Sequence, residues 1–233
     1  EQVKRFRELG SSTPGHPEYE PDHGVEITTG PLGQGIANAA GMAVAEAMLN
    51  DEFGDDIVRH YTYALVGDGC LMEGLGHEVI SLAGHLRLGR LIFLYDSNRM
   101  TDDGPTSQAV TEDYLVRFAC AGWHVQECDG HDQEAIAAAI AAAKADPRPS
   151  MIKCNTLIGF GVPRIENQRV AHGGKLFEDD GKAAREHLGW PHERFVVPAP
   201  ILAEWREAGQ RGACERMAWE ARLAASDPQK RAK

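Results

Sequence analysis

Tyr63-Ala64-Leu65-Val66-Gly67-Asp68-Gly69-Cys70-Leu71-Met72-Glu73-Gly74 and Leu91-Ile92-Phe93-Leu94-Tyr95-Asp96-Ser97-Asn98-Arg99-Met100 decide the fold of this chain. Each stretch carries an apolar run of strand type, Tyr61 to Val66 and Leu91 to Tyr95, that stops at a turn bearing an oxygen ligand. Between them Glu78, Val79, Leu82, Ala83 and Leu86 recur at helical spacing, so the unit reads strand, helix, strand. Such a unit makes a parallel pair with a right-handed crossover and brings both strand C-termini to one edge of the sheet. Asp68 and Asn98, thirty positions apart, are then expected to face one another across the crevice where α/β sheets bind ligands.

A hard cation accounts for those residue types. Mg²⁺ takes six oxygens in octahedral geometry, and one or two carboxylates commonly share it with phosphate and water. Asp68, the amide oxygen of Asn98 and the main-chain carbonyl of Met100 form such a partial set and leave room for a diphosphate. Ca²⁺ is a possible substitute. Gly67 and Gly69 let the backbone approach closely, with N–H groups aimed at phosphate oxygens. Taken singly, each residue is equally at home in a Gly-Asp-Gly turn or as a capping Asn; the combination, at this spacing and on these strands, favours a site for metal and diphosphate.

The rest of the chain extends the alternation. Gly33 to Met48 is expected as a small-residue helix, with Ile36, Ala40, Ala43, Val44 and Ala47 at helical spacing. Tyr114 to Ala121 reads as a helix, His124 to Glu127 as a strand, His131 to Ala145 as an alanine-rich helix and Met151 to Leu157 as a strand. This is an α/β fold: a parallel sheet flanked by helices. Val3, Phe6 and Leu9 read as the tail of a helix. Past Pro198 two helical segments are expected, Ile201 to Ala208 and Cys214 to Ala225, before a basic end at Lys230, Arg231 and Lys233. The expected organisation is a domain over 1–198 and a helical extension or linker over 199–233.

Gly67-Asp68-Gly69 followed by Asn98 resembles the thiamine diphosphate motif, and the flanking sequence resembles the transketolase family. The likeness includes Thr13-Pro14-Gly15-His16-Pro17-Glu18, the run from Gly24 through Gly30-Pro31-Leu32 to Gly35, Asp129-Gly130-His131-Asp132, Ile158-Gly159-Phe160-Gly161 and His172-Gly173. It spans nearly the whole chain and thins after about Pro198. The resemblance implies a thiamine diphosphate-binding fold and transfer of a two-carbon ketol unit from a ketose phosphate to an aldose phosphate, as in the pentose phosphate pathway. It implies that Gly30, Pro31 and Leu32 wrap the cofactor, that His16 handles the sugar, that His172 lies near diphosphate and sugar, and that Glu73 links cofactor sites across a dimer. Around His172 the chain departs from the family pattern: Gln168-Arg169 stands for a Thr-His pair, and Gly174-Lys175 follows Gly173.

The family's activating glutamate belongs to a pyrimidine-binding domain, usually of a partner subunit, that nothing in these residues matches. The resemblance also places an N-terminal segment with two further histidines outside this sequence. The chain is thus expected to be inactive alone and to need a pyrimidine-binding domain or subunit in a homo- or hetero-oligomer. Two alternatives stand beside this reading: a related enzyme of the dihydroxyacetone synthase or deoxyxylulose phosphate synthase type, and a non-catalytic binding module of the same fold.

Composition narrows the partners. A formal charge of −11 over 233 residues argues against nucleic acid and anionic membranes, which need a basic face. No apolar run reaches the length of a membrane span. The five cysteines lack paired spacing and read as reduced thiols, in keeping with a cytoplasmic protein.

Overall fold

The computed structural model of the protein describes residues 2–231. The chain divides into two compact units. The larger comprises His16–Val44 and Tyr61–Trp190; the smaller comprises the residues up to Gly15, Ala45–His60 and the chain from Pro191 on.

The larger unit is built on four strands, β1 (Thr62–Gly67), β2 (Leu91–Ser97), β3 (His124–Asp129) and β4 (Ser150–Asn155), all parallel, in the order β1-β2-β4-β3. Gly67 pairs with Asp96, Ser97 with Asn155 and Asp129 with Asn155, so the four C-terminal ends lie in register along one edge. The helices are α1 (Gln34–Phe53), α2 (Asp68–Met72), α3 (Gly74–Leu86), α4 (Tyr114–Cys120), α5 (Gln133–Ala145) and α6 (Glu178–His187). Strand alternation sorts the core into two layers. Val66, Leu91, Phe93, Tyr95 and Met151 pack with Ile36, Ala39, Ala40 and Ala43 of α1, Val79, Ile80 and Ala83 of α3, and Phe118 of α4. Ile92, Ile152 and Cys154 pack with Ala139 and Ala143 of α5 on the other layer. Phe93 and Phe118 each meet Trp123 at 4.9 Å between ring centres, and Trp123 donates its indole N–H to the Ile80 carbonyl at 2.8 Å. Burying each such side chain contributes roughly 1.5–3 kcal/mol.

The expected helix between β1 and β2 forms as α3, buried through Gly76, Val79, Ile80, Ala83 and Gly84 with Leu82 and Leu86 at the surface. Its close packing is through Gly84, where a Cβ would fall 1.8 Å from the Ala121 carbonyl oxygen. Two other local expectations are corrected. Val3, Phe6 and Leu9 are exposed and lie on no α-helix; Gln2–Arg5 is a single 3₁₀ turn. The two expected C-terminal segments are one helix, α7 (Ala199–Ala225), followed by α8 (Pro228–Arg231). Gly209 and Gly212 lie between those two segments, but two glycines cost a helix only about 1 kcal/mol each, which the flanking Ala, Glu and Arg residues absorb. Within the smaller unit α7 donates from the Trp219 indole to the Ile57 carbonyl and from Arg222 Nε to the Asp56 carbonyl, each at 2.8 Å. Of the expected basic end, Lys233 lies outside the described residues.

Candidate diphosphate and metal site

β1 ends at Gly67, and Asp68 opens α2 directly after it. The strand therefore delivers Asp68 to the C-terminal edge with its side chain turned inward, only 4% exposed. Its Oδ1 accepts a hydrogen bond from the Tyr95 hydroxyl of β2, and its Oδ2 accepts one from the Arg99 N–H at 3.1 Å. Burial pushes the Asp68 carboxyl above the ordinary value, against the hydrogen bonds from Tyr95 and Arg99 that favour its charge, while nearby Asp96 pushes it further up. Burial, and then the hydrogen bond to Asp68, drive the Tyr95 phenol well above its usual range, so it acts as a donor throughout the accessible pH range.

Asn98 follows β2, and its Oδ1 accepts the Met100 N–H at 3.0 Å. Arg99 between them takes a left-handed backbone (φ 63°), which turns the chain back on itself. Met100 bridges Pro105 in antiparallel fashion, and the ladder bonds belong to its neighbours: Thr106 N–H to Arg99 carbonyl and Thr101 N–H to Gly104 carbonyl. In that pattern the N–H and C=O of Met100 both point away from the ladder. Its carbonyl is therefore presented on the side where Asn98 Oδ1 lies.

These groups share one cavity of about 560 Å³, lined by Gly67, Asp68, Gly69, Asn98, Met100 and His172 together with Leu32 and Glu73. A Cβ at Gly67 would meet no atom within 4 Å, whereas one at Gly69 would stand 3.0 Å from Leu32 Cδ1. The first glycine thus keeps the cavity open and the second lets Leu32 close on the backbone. Glu73 is exposed, stands at the position before α3 without a side-chain capping bond, and packs against Gly33, whose φ of 81° only glycine adopts readily. The loop carrying His172 is tied to the opposite wall by Arg169, whose Nε donates to the Asp102 carbonyl.

The remaining sequence candidates lie apart from this lining. His16 is exposed, and its ring packs on Gly30, where a Cβ would fall 2.6 Å from the imidazole Cγ. Pro31 closes a turn by accepting the Gln34 N–H at 3.2 Å. His131 holds the loop after β4 in place. Its Nε2 accepts the Leu157 N–H at 3.0 Å, which leaves the proton on Nδ1, and its ring stacks on Phe160 at 4.1 Å.

The donor set suits a cation that brings an anion with it. The cavity wall holds four carboxylates, Asp68, Glu73, Asp102 and Asp103, against one imidazole, His172. A bare diphosphate meets net repulsion there, and a divalent ion between it and Asp68 would offset part of that repulsion. Among the described residues no cluster of three or more His, Cys, Asp or Glu is arranged to hold a metal. A metal held by Asp68, Asn98 Oδ1 and the Met100 carbonyl therefore needs phosphate oxygens or water to complete its shell. Sequence reasoning missed Tyr95, whose ring packs on the buried Tyr114 with ring centres 5.7 Å apart. The signal was available for Tyr95: period-two alternation from Phe93 puts its ring on the buried layer, where a phenol must find a partner.

The family model described as "Transketolase, thiamine diphosphate binding domain" matches residues 1–233. A transketolase of Cereibacter sphaeroides is 54% identical over 226 residues, which are 97% of this chain and 34% of that protein. A transketolase of Sinorhizobium medicae is 48% identical over 99% of this chain and 33% of its own length. Among solved structures, a transketolase from Campylobacter jejuni superposes with a TM-score of 0.94 at 38% identity, covering 98% of this chain and 36% of that one. One from Leishmania mexicana gives 0.93 at 44% identity over 99% and 36%. The chain thus spans about a third of the length of the curated relatives it matches.

Proposed function

Because this chain belongs to the transketolase family, as its thiamine diphosphate-binding domain, we propose that it holds the diphosphate end of thiamine diphosphate through Mg²⁺ in a two-carbon ketol transferase. The supporting observation is the meeting of Asp68, Asn98 and the Met100 carbonyl on one cavity whose other acids repel an uncompensated diphosphate. Asp68, Asn98 Oδ1 and the Met100 carbonyl would ligate the metal, with Ca²⁺ as a substitute. Gly67, Gly69, Gly30, Pro31 and Leu32 would border the cofactor. When bound, thiamine diphosphate supplies the carbanion chemistry that moves the ketol unit.

The protein's part is binding, orientation and proton handling. His172, which lines the cavity, would hold or return a proton between diphosphate and sugar. His16, outside the wall, would meet the sugar rather than the diphosphate. Glu73, exposed at the head of α3, would carry a hydrogen bond across a subunit boundary. The activating glutamate and aminopyrimidine pocket would come from a pyrimidine-binding domain in a homo- or hetero-oligomer. The substrates would be a ketose phosphate and an aldose phosphate, and the setting the pentose phosphate pathway of the cytoplasm. No described helix is long and apolar enough to cross a membrane.

Calorimetry decides the central point. Mg²⁺ and thiamine diphosphate added together should bind the chain, and Mg²⁺ alone only weakly. Tight Mg²⁺ binding without diphosphate, or no binding with it, would overturn the proposal.

A further inference from the structure

We propose that Tyr95 is a positioning residue for the metal site: its hydroxyl fixes the Asp68 carboxylate in the rotamer that coordinates the metal. This role rests on the proposed function and adds a residue to it. Asp68 begins a helix at the end of a strand, and nothing in that backbone alone fixes its carboxylate plane. Two donors do so. The Arg99 N–H takes Oδ2 at 3.1 Å, and the Tyr95 hydroxyl takes Oδ1. Each oxygen keeps a further lone pair, so the carboxylate is oriented without being consumed.

Tyr95 is well placed to hold that carboxylate. Its ring is 3% exposed, stands on β2 in register between β1 and β4, and meets Tyr114 edge-on at 84°. The hydroxyl therefore cannot swing to solvent. Partners that hold a metal ligand from behind typically contribute 10- to 100-fold in metal affinity. Tyr114 supplies an internal control: it is 7% exposed and in contact with Tyr95, yet its hydroxyl has no hydrogen-bond partner among the described residues. It shares the packing of Tyr95 without the bond to Asp68.

The test uses the full chain with Mn²⁺ as the metal probe and thiamine diphosphate present, bound metal being counted from the loss of the free-ion electron paramagnetic resonance signal. Tyr95→Phe should weaken Mn²⁺ uptake by about 10- to 100-fold, while Tyr114→Phe leaves it within about twofold of the parent. Equal uptake by parent and Tyr95→Phe, or equal losses in both variants, would overturn the assignment. A parent chain that takes up no Mn²⁺ with thiamine diphosphate would instead overturn the proposed function and this assignment with it. A second measurement needs no variant: the ring resonances of Tyr95 in the parent should shift when metal and thiamine diphosphate are added, and their remaining fixed while metal binds would overturn the inference.

Discussion

Arg164 grips Asp180 with both halves of its guanidinium, Nε to Oδ1 at 2.6 Å and Nη2 to Oδ2 at 2.7 Å. The same Oδ2 accepts the Phe177 N–H at 2.8 Å, so one carboxylate caps α6 and closes the loop that carries His172. The Arg164 hydrogen bonds hold the Asp180 carboxyl down at about 2. A depressed carboxylate stabilises the fold above its unfolded value, near 3.9, and that contribution is lost as pH falls through the folded value. The loop between Arg164 and Asp180 should therefore keep its amide protection from neutral pH to about 4 and lose it progressively toward about 2. Asp180→Asn should loosen the same amides already at neutral pH. Hydrogen exchange read by NMR checks both, and a loop unchanged in the variant would contradict this role for the ion pair.

Asp68→Ala should abolish metal-dependent binding of thiamine diphosphate, since it removes the only carboxylate among the proposed ligands. The pH dependence has a definite sign. Burial raises the Asp68 carboxyl above the ordinary aspartate value, and a protonated carboxyl is a poor ligand. Acidification should thus expel the metal at a higher pH than an unperturbed aspartate would. Calorimetric titrations at descending pH would refute this if affinity held steady down to the ordinary carboxylate range.

The packing of His16 on Gly30 yields a paired prediction. In a chain completed with its pyrimidine-binding domain, His16→Ala should lower kcat/KM for the sugar by about 100-fold, the lower bound for a general acid or base, with little change in cofactor affinity. Gly30→Ala should reproduce part of that loss, because its methyl group would enter the space of the imidazole. Equal effects of His16→Ala on sugar use and cofactor binding would remove the assignment.

Arg169 ties the His172 loop to the Asp102 carbonyl. Its replacement by Ala should weaken cofactor binding by roughly the value of one charge-assisted hydrogen bond, about 1.5–3 kcal/mol at most and less for this exposed pair. His172→Ala should affect both cofactor affinity and sugar turnover. If Arg169→Ala shifts neither dissociation constant nor loop protection, the tie has no functional weight.

Gly209 and Gly212 sit inside α7 with open space where a Cβ would be. Replacing either by Ala should stabilise that helix by about 0.5–1 kcal/mol. Chemical denaturation monitored by helical circular dichroism measures the gain directly.

The candidate site was legible where one strand end supplies one proposed ligand. Asp68 and Asn98 are read from a glycine-flanked acid and an asparagine that each close an apolar run, and parallel pairing then puts them on one edge. The later cavity-facing groups of the loop that follows β2, Asp102, Asp103 and Gln108, were not legible, because their placement depends on the left-handed turn at Arg99 and on the bridge between Met100 and Pro105. His16 shows the same limit: its motif identifies it, but its position depends on contact with a glycine fourteen residues later. Tyr95 was hidden because an aromatic residue in a strand is ordinarily core, and its hydroxyl matters only once Asp68 is in view. The continuity of α7 was hidden too, because glycine suggests a break more strongly than its modest helix cost justifies.

Alternation along β2 has one further consequence. Tyr95 and Ser97 turn to one layer, and Asp96 between them turns to the other, where the Thr156 hydroxyl donates to it. The charge balance beside Asp68 is thereby encoded as parity. Removing a single residue between Leu91 and Tyr95 would put the acid where the phenol now stands, setting one carboxylate against another in a desolvated corner. A donor would become a repulsive charge with no change of composition beyond the lost residue. This short strand therefore tolerates exchange of its apolar side chains far better than any change in its length.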